Sequence, residues 1–287
     1  MDNFFTYLNY RYLKLALWVT VIFSIAYVLH EPGQPKNGGT WFGYTIGTVS
    51  ALLILFLMYF GRRKRDYFST FGTVKGWLSA HIYLGTALLV LATLHTGFQF
   101  GLNVHTLAYA LMVFAIVSGF YGAWAYVYLP VQKRENLKAI STEEYFQSIE
   151  DFDRQIVKLA IDLPEKLSLM INSALERTEL GGTLVNQLSV KDKSNLMVND
   201  RILANKNQST CINLLVVELA KVTDQQRATQ LKKIIDLFGS RQRALKVLRQ
   251  DIKHNAFLQL WLYIHVPVSF ALLAALITHI VAIFIYW

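Results

Sequence analysis

Trp77–Phe100 reads WLSAHIYLGTALLVLATLHTGFQF, without a charged residue and with His81 and His95 inside it. A helix rising 1.5 Å per residue needs about 20 residues to cross a hydrocarbon core of about 30 Å, so the stretch is long enough to span a bilayer. The last apolar stretch, Leu258–Trp287, carries His265 and His279 at the same 14-residue separation. An ionisable side chain inside a membrane helix is costly and is retained for a reason. Four of them, in two matched pairs, suggest one shared reason.

Fourteen residues turn a helix by about 1,400°, roughly 40° short of four full turns, so both histidines of a pair share one face. The rise between them is about 21 Å, which puts one near each side of the hydrocarbon core. If the two helices run in the same direction and face one another, His81 lies opposite His265 and His95 opposite His279. Two facing imidazoles can ligate one haem iron from both sides. The expectation is two haem b groups, one above the other, on a path between the two membrane faces. The plainer alternative is a set of interhelical hydrogen-bonding histidines, as in a transporter.

The paired His-x13-His stretches resemble the haem core of respiratory cytochrome b, and that of the ferric-reductase and NADPH-oxidase superfamily. The resemblance covers the two histidine segments and the helix between them, well under half the chain. It implies metal ligation by His81, His95, His265 and His279. Gly85 and Ser269, one turn after the first ligand of each segment, fit it, because a porphyrin needs room beside its axial histidines. The flavin and nicotinamide module of the oxidase and ferric-reductase relatives is missing. No G-x-G-x-x-G and no P-loop occurs, so electrons are expected from quinol or from a separate protein.

The 287 residues are 54% hydrophobic and 14% aromatic, and the mean hydropathy is positive. That profile belongs to an integral membrane protein with some water-exposed mass rather than to a soluble enzyme. A single cysteine, Cys211, excludes an internal disulfide and a cysteine-held iron–sulfur cluster, and no C-x-x-C-H is present for c-type haem. Cys211 reads as a small buried apolar side chain. Of the net +9, residues 131–256 carry +4 and the rest +5; neither points to nucleic acid. Arg62, Arg63, Lys64, Arg65 and Lys75 cluster in one loop, a topology signal. They could also meet the propionates of an inner haem.

In chain order, Leu13–Leu29 is the first apolar segment; it is taken as an uncleaved span, although Ser24-Ile25-Ala26 has the small-x-small look of a signal peptide. A turn-rich loop, Glu31 to Thr40, leads to a second span from Trp41 or Phe42 to Phe60. The basic loop Gly61–Gly76 is expected to be cytoplasmic. Next come the Trp77–Phe100 span, the short loop Gly101–Val104, and a fourth span from about His105 to Leu129, ended by Pro130. One return helix between the two histidine helices makes them parallel, as the pairing requires.

The expected class is therefore an all-α membrane protein of five transmembrane helices forming a haem-binding bundle, with a mostly helical cytoplasmic insertion before the last span. Its limits are 1–130 for the first four spans, 131–256 for the insertion and 257–287 for the fifth. Within the insertion, Ser141-x-x-Glu144 suits a capping box opening a helix to about Asp162. Pro164 suits the start of a second helix ending near Gly181-Gly182. TLVNQLSV and NLMVNDRI, separated by KDKS, could pair as a β-hairpin. A helix is expected over Cys211–Val222, and a long one from Asp224 into the last span, kinked by Pro267.

His30, at the end of the first span, and His105, at the start of the fourth, belong to the same outer face. They could ligate a third haem, line a quinol pocket with Glu31 as proton acceptor, or simply sit at the interface. His254 reads as a surface residue. Trp77, Trp261, Tyr263, Tyr286 and Trp287 fall near span ends as an aromatic belt would.

The functional expectation is a di-haem b-type cytochrome subunit in a bacterial-type inner membrane, with the N-terminus cytoplasmic and the C-terminus periplasmic. It would move electrons between quinol or a cytoplasmic donor and a periplasmic c-type cytochrome or iron–sulfur protein of a larger complex, surrounded by membrane lipid. The alternative is a haem-based sensor or scaffold that signals through the insertion.

Overall fold

The computed structural model describes residues 4–33, 35–66, 68, 70–137, 142–189 and 191–286. It is mostly helical and divides into two units, Met1–Ala125 with Trp261–Trp287, and Tyr126–Leu260. Among the described residues, five helices are long and apolar enough to cross a membrane, which fits a multi-pass membrane protein.

The first unit contains α1 (Tyr7–Leu29), α2 (Trp41–Arg65), α3 (Val74–Thr96), the first part of α4 (Val104–Leu137) and the last part of α9 (Gln225–Tyr286). Threonines open two of these helices by satisfying an orphan amide. Thr40 Oγ1 accepts from the Gly43 N–H at 3.0 Å, and Thr73 Oγ1 from the Gly76 N–H at 3.1 Å. α3 stops at Thr96 rather than at the expected Phe100, because Gly97 takes a left-handed conformation (φ 58°) that ends the helix. A side chain at Gly97 would run into the Lys36 carbonyl.

α2 continues five residues beyond the expected end, so that Arg62–Arg65 form its last turn, where cations complement the helix dipole. α4 passes Pro130 and reaches Leu137 instead of ending there; a proline removes one donor from a helix without always breaking it. Pro267 likewise lies within α9.

α3 is the centre of this unit. Ala80, Leu84, Ala87 and Leu88 pack with Ala16 of α1, Ile54 and Leu57 of α2, Met112 of α4, and Leu272 and Leu276 of α9. A second cluster joins Leu91 to Phe42 and Ile46. Of the five apolar helices α3 is the most buried and α1 the least. α1 turns Trp18, Ile22 and Leu29 outward, as a lipid-facing helix would.

The second unit contains α5 (Thr142–Ala160), α6 (Glu165–Glu176), α7 (Leu184–Ser189), β1 (Asn195–Val198), β2 (Arg201–Ala204), α8 (Ser209–Leu219) and the first part of α9. Its core joins Ile156 and Ala160, Met170 and Ile171, Leu196, Cys211 and Leu215, and Leu231, Ile234 and Phe238. Burial pushes the Cys211 thiol up to about 12, against the opposing pull of Arg241. The residue is the inert packing element its isolation in the sequence implied.

The hairpin exists but in a different register. β1 and β2 pair antiparallel, Asn195 with Ala204 through Val198 with Arg201, and LVNQLS is the short helix α7. The turn is Asn199-Asp200, both left-handed at φ 47° and 63°. That pair matches the inward twist of a two-residue hairpin better than the charged KDKS run does. α6 ends at Glu176, before Gly181-Gly182. Asp224 caps α9 through its carboxylate, which accepts from the amides of Gln226 and Arg227 at 3.3 and 3.2 Å. Ser141, proposed above as a capping residue, lies outside the described residues.

Candidate metal centre

α3 and the last part of α9 bring the four span histidines together in two facing pairs. The ring centroids of His81 and His265 are 6.5 Å apart, and those of His95 and His279 are 6.0 Å apart. Two imidazole nitrogens about 2 Å from one metal on opposite sides put their ring centroids about 6 Å apart. The observed spacings suit that arrangement. They are too wide for a direct hydrogen bond between the two rings of a pair; the plainer alternative, interhelical hydrogen bonding, is met by a bond from each ring to α2 or α4.

The hydrogen bonds decide which ring nitrogen is left over. His81 Nδ1 lies 3.1 Å from the Leu57 carbonyl, and His95 Nδ1 lies 2.8 Å from the Gly43 carbonyl. A carbonyl only accepts, so Nδ1 carries the proton in both rings and Nε2 keeps its lone pair. His265 Nδ1 lies 2.8 Å from Ser118 Oγ. The Ser118 hydroxyl donates to the Ala115 carbonyl at 2.8 Å, so it accepts from the imidazole. Three of the four rings therefore offer Nε2 as a donor to a metal, with Nδ1 fixed by a neighbour, the usual way in which protein metal ligands are oriented.

His279 is held differently. Its Nδ1 bonds Nδ1 of His105, and the two rings are edge-on with centroids 4.4 Å apart. One nitrogen must donate and the other accept; when His279 donates, its Nε2 is also free for a metal. This places His105 at the His95–His279 pair. It contacts His279, whereas a site shared with His30 was one of the three readings open to it. His30 instead packs its ring edge-on against Trp41 and close to Phe42, and its Nε2 is buried without a hydrogen-bond partner. Glu31 is exposed.

Small residues leave space at the histidines. A Cβ added at Gly85, a buried position, would have a single neighbour within 4 Å, Leu57 Cδ1 at 3.9 Å. One at Gly119 would lie 3.6 Å from His265 Cε1. Gly47 is tighter, since its Cβ would come within 2.6 Å of His95 Cε1. Ser269, expected as a small neighbour, turns its hydroxyl back onto the His265 carbonyl at 2.8 Å, which keeps a polar side chain satisfied beside the pair.

Other residues differ from their expected roles. Trp261 is no membrane-surface anchor alone: its ring packs on His265 at 5.3 Å, and its indole N–H donates to the Ser118 carbonyl at 2.7 Å. Trp77 is buried, stacks on Phe56, and donates to the Phe71 carbonyl. Arg63 is buried and donates to the carbonyls of Asp66, Phe71 and Gly72. It pins the loop after α2.

Ser118, Gly47 and the carbonyls of Gly43 and Leu57 escaped the sequence reading. Only Ser118 left a trace there, as a small hydroxyl in the middle of an apolar span. Among the described residues no group of three or more His, Cys, Asp or Glu side chains is placed to hold a metal ion. A metal held by a macrocycle needs only two protein donors, and the histidines of α3 and α9 face one another two by two. Comparison with protein-family models, with curated proteins and with solved structures finds no match to this chain.

Proposed function

We propose that the chain is a multi-pass b-type cytochrome subunit that holds two bis-histidine haems and passes single electrons across a membrane. His81 and His265 would hold one haem through Nε2, and His95 and His279 the other. One observation carries the reading: the same two helices present two pairs of facing imidazoles, each pair spaced as a bis-imidazole metal requires. When bound, a haem supplies one-electron exchange between its ferric and ferrous states.

The chain's own residues hold, orient and insulate. Leu57, Gly43 and Ser118 fix imidazole tautomers. Leu84, Leu88, Leu272 and Leu276 lie in sequence between the two histidine levels and form one apolar cluster, which keeps water from the space between them. The four-cation end of α2 supports a cytoplasmic location for that end. The N-terminus and the unit of residues 126–260 then lie in the cytoplasm and the C-terminus in the periplasm of a bacterial-type inner membrane. The electron donor is quinol or a cytoplasmic protein, and the acceptor a periplasmic c-type cytochrome or iron–sulfur protein.

The test is haem content together with the reduced-minus-oxidised spectrum of the purified chain. Two b-type haems per polypeptide are expected. His95→Ala should remove one and leave the other, and His81→Ala should do the reverse. A protein without haem, or variants that retain both, would overturn the proposal.

A further inference from the structure

The second unit contains a cavity of about 600 Å³ whose walls include Lys191, Lys193, Lys206, Lys246, Arg249 and Asp192. That is five cations and one carboxylate, and the carboxylate is already engaged. Asp192 bonds Arg249 at 2.9 Å, with both side chains almost wholly buried. It also accepts from the amides of Ser194 at 2.9 Å and Asn207 at 2.6 Å. Burial pushes the Asp192 carboxyl up, yet these donors and Arg249 together hold it below the usual carboxylate range. The Arg249 guanidinium is equally committed, donating to Asn207 Oδ1 at 3.3 Å, to the Glu179 carbonyl at 3.1 Å and to Ser194 Oγ at 3.2 Å. The two charges cancel inside the wall.

The four lysines remain. Among the described residues none of their ammonium groups has an ion-pair partner. Four like charges around one concavity raise its potential and draw in anions. The wall between them is tethered. Asn207 and Gln208 hold left-handed conformations, φ 50° and 59°, which are unfavourable for side-chain-bearing residues. They persist because the Asn207 amide is tied to Asp192 and its carbonyl accepts from Gln242 Nε2 at 2.5 Å. Strained backbone that its surroundings over-determine is common where a chain is shaped around a ligand. The cavity has the size of a small-molecule site, roughly 300–1,000 Å³. Among the described residues its lining contains no aromatic ring, so it offers charge rather than a stacking surface.

We propose that this cavity binds a compact soluble polyanion bearing two or more phosphate groups. Lys191, Lys193, Lys206 and Lys246 make the direct contacts, and the Arg249–Asp192 pair acts as the buried pin that holds their loops. The site is independent of the histidine pairs, and the inference does not rest on the cytochrome reading. Phosphate chemistry is also displayed by anionic lipid headgroups, so the experiment separates the two sources.

The full-length chain in neutral detergent is titrated with tripolyphosphate by calorimetry, with sulfate at matched ionic strength as the control. The same protein is then mixed with phosphatidylglycerol vesicles and with phosphatidylcholine vesicles. Saturable one-to-one binding of tripolyphosphate is expected, weakening as salt rises. It should fall about tenfold or more in the Lys206→Gln/Lys246→Gln double variant. Both lysines are exposed, so the variant should keep the ligand-free melting midpoint while losing the upward shift that tripolyphosphate gives the parent. Absence of saturable binding, undiminished binding by the double variant, or binding to phosphatidylglycerol vesicles alone would each overturn the proposal.

Discussion

In the first unit the central cluster around α3 is small or aliphatic, and four imidazoles stand half-buried between helices. In the second unit a closed core around Phe238, Ile171 and Leu215 excludes solvent completely, and its charges are paired within the walls and free at the rim. The first unit also turns large apolar groups outward, with Trp18, Leu29 and Phe284 at 67%, 75% and 83% exposure. Such a surface suits contact with lipid, and the second unit, which also exposes Ile161, Leu169 and Val185, buries its largest side chains in one closed core. The contrast shows where each unit tolerates polar groups. Inside the membrane unit a polar group must find a partner across helices or hold a ligand; in the second unit polar groups can be moved to the surface.

The largest expected effect lies in the second unit. Phe238→Ala removes a fully buried ring and should destabilise that unit by about 3–5 kcal/mol. Denaturant titration followed by limited proteolysis would show residues 126–260 cleaved first while the histidine unit stays intact. Simultaneous loss of both would erase the distinction between the units.

Next is Arg241→Met. Arg241 is 3% exposed and binds Asp153 at 2.5 Å and Thr178 at 3.0 Å. Because Asp153 retains 30% exposure, the cost should be about 2 kcal/mol, under the range for a fully buried pair. Equilibrium unfolding measures it, and no change would mean that the pair is solvated in practice.

Gly47→Ala addresses the histidine unit. The new methyl would press on His95, so the ring must shift and weaken its bond to the Gly43 carbonyl, a loss of about 1 kcal/mol. Under the cytochrome reading the spectrum or midpoint potential of one haem changes and that of the other does not. Equal changes in both would show that the two levels are not separate.

The smallest effect is a pH dependence. The folded carboxyl of Asp192 is held below its unfolded value, so its stabilising contribution is complete above about pH 4 and is lost as pH falls through the folded pKa. Unfolding measured between about pH 6 and pH 2 should lose stability with a steeper slope in the parent than in Asp192→Asn. Parallel slopes would remove the claim that the Arg249–Asp192 pin is maintained by charge.

Much of the fold is local and could be read from the chain. The five apolar helices are marked by runs of uncharged residues, and the boundaries of the second unit by a change of composition near residues 130 and 256. Ends were less legible, for identifiable reasons. α3 stops where Gly97 can turn left-handed and the Lys36 carbonyl crowds it, and α4 continues where Pro130 alone predicted a stop. The hairpin lies later in the chain than the charged KDKS run suggests, because Asn199-Asp200 is a two-residue turn with left-handed backbone at both positions.

For the candidate sites, spacing and helix direction determined which histidines can share a face, because the pitch of a helix is the same wherever it forms. Only the tertiary structure decided what holds each ring: the Leu57 and Gly43 carbonyls, the Ser118 hydroxyl, and His105 against His279 and not against His30. It alone assembled the basic cavity, whose lysines come from three separate stretches of the chain. Periodicity fixes which residues lie on one side of one element, whereas a contact between elements depends on how whole helices and loops pack, which no local pattern encodes.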